Sequence, residues 1–364
     1  VAVTSPRRTS TAGRTGDGGP GRPPRRVPAG WAAAGLALAL AAALTAAVSL
    51  GAVDIPPAEV WSVIGRRLTG RPPLPGSRDL IVWQLRVPRA LLAALVGAGL
   101  GLVGAAVQAL VRNPLADPYL LGISSGASLG AVGVLVLGGA GGLAAGVGVS
   151  GAAFLGALAA LALVWTLARR GGGFAPLRLV LAGVGIGQFL SGFTSYLVLQ
   201  AGDQQRTRGV LFWLMGSLSG ATWAQLALPA AAVLGGLAVL QARARGLNAL
   251  LMGDETAAGV GVPVTRLRRE LFATTSVLTG VLVAVSGAIG FVGLMVPHVC
   301  RLVCGGDHRR LLPLSALTGA VLLVVVDTVA RTALDTQELP VGVVTALVGA
   351  PALLYLLDRR LERS

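Results

Sequence analysis

Apolar runs of about membrane length alternate with short polar segments along most of this chain. The first extends from Trp31 to Val53. Nine more follow at about 88–111, 118–138, 147–168, 178–200, 222–241, 271–287, 289–304, 312–331 and 341–357. A helix needs roughly 20 apolar residues to cross the hydrocarbon core of a bilayer. Backbone polar groups in lipid are satisfied only within helices or closed barrels. The pattern therefore predicts an all-α, polytopic membrane protein with about ten transmembrane helices. The run at 31–53 is longer than the apolar core of a signal peptide, so it reads as a first retained helix. The runs at 271–287 and 289–304 are divided only by SGAIG (286–290), a weak break. Residues 1–30 are rich in Arg, Pro, Gly, Ser and Thr without an apolar period, which predicts a disordered tail. Residues 31–360 then form the membrane domain.

Composition supports lipid as the solvent. The chain has 364 residues, 54% hydrophobic and 12% charged, against roughly 25% charged in soluble domains. Its 53 glycines let helix backbones approach closely where apolar side chains gain little by leaving lipid. The net charge of +15 does not indicate nucleic acid. All 30 basic residues are Arg, and they lie mostly in short segments between apolar runs, as the positive-inside rule describes. Ten spans put both termini on one side. With the N-terminus cytoplasmic, 21 of the 30 arginines are cytoplasmic, so both ends are predicted there.

Missing residues narrow the chemistry. A P-loop needs a Lys to reach nucleotide phosphates, and the sequence has none; ATP-driven transport would require the ATPase on another polypeptide. Asp327 is the carboxylate that falls inside a predicted span, a poor proton relay for a secondary transporter. Cys300 and Cys304 lie four apart, and adding His298 or His308 does not make a four-ligand zinc site. No metal, cofactor or intramembrane catalytic set is expected.

Four stretches carry a family resemblance. They are LRVPRALLAALVGAGLGLVGAAVQALVRNPLADPYLLGISSGASLG (85–130), MGDETAAGVGV (252–262), SGAIGFVGLMVPHVCRLVCGGDHRRLLP (286–313) and DTVARTALDTQELPVGVVTALVGAPALLYLL (327–357). Together, in this order, they resemble the iron-siderophore and vitamin B12 ABC importer permeases, over about residues 35 to 360. The resemblance implies a type II importer permease fold in the bacterial cytoplasmic membrane. It also implies three partners besides lipid: a cytoplasmic ABC ATPase dimer, an extracytoplasmic substrate-binding protein, and a second permease copy or sibling. The cargo leading on family abundance is a ferric siderophore, with cobalamin or haem as the alternative.

Candidate site residues follow from this frame. Arg86, Arg89 and Arg331 fall on the outer side, against the charge rule. The resemblance makes them receptor-docking residues that pair with glutamates of the binding protein. Snorkelling at a helix end, with Asp327 one turn back as a local partner of Arg331, is the plainer account. In the largest cytoplasmic segment, 242–270, Gly253 breaks the chain and Asp254 and Glu255 open a short helix, favoured there by its dipole. Ala257, Gly259 and Gly261 continue this segment, and Pro263 ends it. The resemblance assigns Gly253, Asp254, Glu255, Ala257, Gly259 and Gly261 to ATPase coupling. In the fifth span Gln188, Ser191 and Ser195 form a polar stripe with Thr194 beside them. Such a stripe suits a translocation pathway or interhelical hydrogen bonding. NPLADP (113–118) reads as a tight structural corner, and 203–220 as a partial helix on the outer surface.

Overall fold

The computed structural model describes residues 28–74, 76–137, 143–169, 176–202, 204–334 and 337–361. The predicted N-terminal tail lies almost entirely outside these residues. Helix α1 (Ala29–Ser49) is followed by a short amphipathic helix, α2 (Pro57–Leu68). Pro57 at its start supplies a preset φ, and Val60 and Val63 are its buried contacts. The pattern of long apolar runs gave no sign of α2, because twelve residues with a half-polar face fall below the length that identifies a span.

Next, α3 (Ser77–Leu80) passes through a π-helical segment (Ile81–Arg86) into α4 (Val87–Val111), so the second span starts eleven residues before the predicted boundary at 88. Pro88, just after the π segment, has no N–H to continue the α-helical ladder, and π segments occur mostly as insertions within α-helices. The corner after α4 contains a 3-10 turn (Pro118–Leu121). It leads to α5 (Ile123–Leu137), α6 (Leu143–Arg169), α7 (Pro176–Leu199), α8 (Gln204–Met215) and α9 (Trp223–Ala242). The segment 242–270 is mostly helical: α10 (Ala244–Leu251), α11 (Asp254–Gly259) and the first turns of α12 (Val264–Ser286). Helices α13 (Val292–Cys304), α14 (His308–Thr332) and α15 (Val341–Leu361) complete the chain.

Seven of these helices are long and apolar enough to cross a membrane, and three shorter apolar ones, Ile123–Leu137, Val292–Cys304 and Val341–Tyr355, fall at the remaining predicted spans. Among the described residues there is no strand. The weak break at SGAIG is real: Gly287 and Phe291 both have positive φ, and α13 begins only at Val292.

At the centre, α4 packs along α14 in antiparallel fashion. A Cβ on Gly97 would overlap the Gly319 carbonyl oxygen, and one on Gly319 would overlap that of Gly97. The two backbones touch because neither residue has a side chain. Most of α4 is buried, with α9, α12 and α13 packed around the pair and α1 against α14. By contrast α1, α7 and α9 are largely exposed, as lipid-facing or partner-facing helices would be.

Irregular backbone inside this bundle is satisfied locally. In the NPLADP corner the Asn113 side chain accepts from Leu115 N (2.9 Å) and Asp117 from Tyr119 N (2.8 Å), the Asx turns that favour these residues. The Tyr119 hydroxyl then donates to Ile289 O (2.9 Å) and accepts from Ile289 N (2.8 Å). One side chain thus completes the broken backbone between α12 and α13, as non-helical segments at membrane depth require.

Candidate functional site

Polar groups collect at the two ends of α4, about 37 Å apart for 25 residues at 1.5 Å each. At its N-terminal end the structure brings together Arg86, Arg89 and Arg331. All three have internal partners. Arg86 donates from Nη1 to Val48 O and Ser49 O (2.8 and 2.9 Å) and from Nη2 to Val53 O (2.6 Å). Arg331 donates to Ala47 O (2.6 Å). The last carbonyls of α1 have no partner in their own helix, and these two cations cap them with charge of the favourable sign.

Arg89 is different. Its Nε and Nη2 hold Asp327 at 2.9–3.1 Å, and its Nη1 holds both oxygens of Glu338 at 3.1 and 2.9 Å. The pairing of Asp327 with Arg331 suggested by their one-turn spacing is therefore not what forms. Asp327 faces α4 and takes Arg89 in a forked geometry suited to guanidinium, while Arg331 turns toward α1. Glu338 was not singled out from the sequence; an acid just before Pro340, between the last two apolar runs, was its only signal. A cavity of about 510 Å³ opens beside the cluster, lined among others by Gly51, Arg86, Arg89, Arg331 and Glu338.

At the opposite end of α4 lies the acidic short helix. Gly253, with φ 107°, precedes α11, and Asp254 and Glu255 occupy its first turn. Asp254 accepts from Arg268 of α12 at 2.7 Å and lies 3.7 Å from Arg112, the residue that ends α4. Ala257 is buried, Gly259 closes the helix, and Gly261 turns the chain with φ 81°. Around this anchored helix Leu251, Met252 and Val260 are exposed, the last two by 73% and 70%.

A second tie joins this end to α14. The Asn248 amide of α10 donates to Asp307 (2.7 Å), and its oxygen accepts from His308 N (2.9 Å). Bonds from Asn248 and from Arg309 N hold the Asp307 carboxyl below the usual carboxylate range. Nearby, buried Gln108 of α4 donates to Leu294 O (3.2 Å) and accepts from Arg301. Gln108 was legible in principle as a polar residue inside an apolar span; Asn248 carried no such signal.

The polar stripe lies on α7. Gln188, Ser191 and Ser195 are exposed, flanked by exposed Phe189, Phe193 and Tyr196. Ser191 reaches Ser125 of α5 at 3.4 Å, and Ser195 bonds back to Ser191 O at 3.0 Å. Thr194 does not join them. It is buried on the other face and donates to Leu190 O at 3.0 Å, as its six-residue offset from Gln188 requires at 3.6 residues per turn.

The family model described as the FecCD transport family matches residues 38–359. The cobalamin import system permease BtuC of Halobacterium salinarum is 47% identical over 293 residues, covering 80% of this chain and 77% of that protein. The hemin transport system permease HmuU of Yersinia pestis is 43% identical, covering 78% and 84%. A solved structure described as an inward-facing metal-chelate type ABC transporter superposes with a TM-score of 0.78 at 30% identity, covering 90% of this chain and 98% of that one.

Proposed function

Because the chain belongs to the FecCD transport family, whose members are ABC importer permeases, we propose that it works as one of two permease subunits drawing a large metal chelate inward. Energy comes from ATP hydrolysed on a separate ATPase dimer, and cargo from an extracytoplasmic binding protein. The observation that carries this reading is the separation of two polar sites onto opposite ends of the α4–α14 pair. The Arg86, Arg89 and Arg331 end is read as the outer dock for carboxylates of the binding protein. The Asp254 end is read as the cytoplasmic contact for the ATPase. Arg112 and Arg268 anchor α11 there, and exposed Leu251, Met252 and Val260 offer an apolar surface to a partner. Both termini are then cytoplasmic. Gln188, Ser191 and Ser195 line a pathway completed by the second permease copy.

For cargo, the names of similar relatives favour a metallated macrocycle, cobalamin ahead of haem, over the ferric siderophore expected from sequence. Both named relatives exceed 40% identity. The test is ATP hydrolysis by the permease reconstituted with its ATPase and binding protein, challenged in turn with cyanocobalamin, hemin and a panel of ferric siderophores. Stimulation by cyanocobalamin supports the reading; stimulation by a siderophore alone replaces the cargo and keeps the mechanism.

A further inference from the structure

Arg89 sits in two grips of unequal permanence, and the difference bears on the docking reading, on which this inference rests. One grip is Asp327, whose side chain is 3% exposed and fixed within α14. The other is Glu338, 42% exposed and placed in the link between α14 and α15. Among the described residues, Glu338 is the one carboxylate lining the 510 Å³ cavity, where Arg86, Arg89 and Arg331 supply positive charge. Gly51 forms another wall. With φ 151°, it would carry a Cβ 2.6 Å from Arg86 Nη2 and 3.4 Å from Arg331 Nη1. Glycine there leaves room for both guanidiniums at the cavity wall.

We infer that Glu338 is an internal stand-in for a carboxylate of the docking protein. With nothing docked, it completes the pairing of Arg89. When an acidic side chain of the partner enters the cavity, Glu338 gives up Arg89 Nη1 and turns toward water. Exchange of one carboxylate for another leaves no buried cation unpaired at either stage, which is the costly alternative. Asp327 cannot take this part, because leaving Arg89 would strand it within the bundle. Backbone bonds from Leu339 N to Ala330 O (2.9 Å) and from Val341 N to Gly216 O (3.0 Å) hold the link on the far side of Glu338. The exchange therefore needs a side-chain rotation and no refolding of the link.

The test measures affinity of the full permease–ATPase complex in lipid nanodiscs for the binding protein of the same transporter at low ionic strength. Glu338→Gln removes the competing charge and is expected to tighten binding roughly three- to tenfold, a gain that shrinks as salt rises. Unchanged or weaker binding by a folded Glu338→Gln complex overturns the inference. Arg86→Glu separates the two readings. If it leaves binding unchanged, docking at this end is wrong and the exchange falls with it. If it weakens binding while Glu338→Gln gives no gain, only the exchange fails. Wild-type protein gives an answer that does not depend on how Glu338→Gln folds. Carbodiimide labelling of Glu338, read by mass spectrometry, should rise when the binding protein docks; labelling that stays level or falls overturns the inference.

Discussion

Arg89 is committed to a partner, Asp327, that is 238 residues away in sequence and almost wholly enclosed. Removing one member of a buried pair strands the other and typically costs about 3–5 kcal/mol, whereas removing both costs far less. Asp327→Ala should therefore lower the detergent melting midpoint sharply, and Asp327→Ala with Arg89→Met should regain much of the loss. Equal losses for the single and double variants would show that the pair contributes no coupling. At this scale the sequence singled out three cations that the structure brings together and was silent about what they bind. Arg86, Arg89 and Arg331 stood out as exceptions to the charge rule. Their acceptors, the carbonyls of Ala47, Val48 and Ser49 and the carboxylates of Asp327 and Glu338, are set by how α1, α4 and α14 pack. No local spacing encodes that. Thr194 differs, because its offset of six residues from Gln188 already turns it away from the stripe at 3.6 residues per turn.

Among the helices, α4 and α14 depend on backbone contact at Gly97 and Gly319. A branched side chain there has no room, and membrane helices have little other force to hold them together. Gly97→Val should disrupt the pair and reduce yield of folded protein on size-exclusion chromatography, while Gly133→Val, where a Cβ meets nothing within 4 Å, should not. Indifference at both positions would remove the central packing claim. Deleting Asp254–Gly261 should abolish co-purification of the ATPase while leaving the membrane domain folded; retained co-purification would place the coupling elsewhere. Apolar run length made ten elements legible because a bilayer imposes it directly. It missed α2, whose twelve residues answer to an amphipathic face, and the π segment, which lies just before Pro88 in a helix that starts earlier than its apolar run. The short helix α11 was legible for a local reason, a glycine break followed by two acids.

Across the whole molecule, one antiparallel helix pair joins the two proposed partner sites. Arg89 and Asp327 tie α4 to α14 at the dock, Asp254 bridges Arg268 to Arg112 at the end of α4, and Asn248 ties α10 to the start of α14. Load applied at α11 can thus reach the arginine cluster through packed helices. The stripe on α7 should respond to that motion. Thiol labelling of Ser191→Cys and Ser195→Cys is expected to differ between nucleotide-free and ATP-trapped complexes; protection in every state would mean interhelical bonding only. Receptor docking at one end is proposed to control ATP hydrolysis at the other, and binding-protein-stimulated ATPase activity in proteoliposomes measures that control directly. The loaded binding protein should stimulate hydrolysis, and Arg86→Glu should sharply reduce that stimulation while the permease–ATPase complex stays assembled. Stimulation unaffected by Arg86→Glu, or transport that continues without ATP, would contradict it.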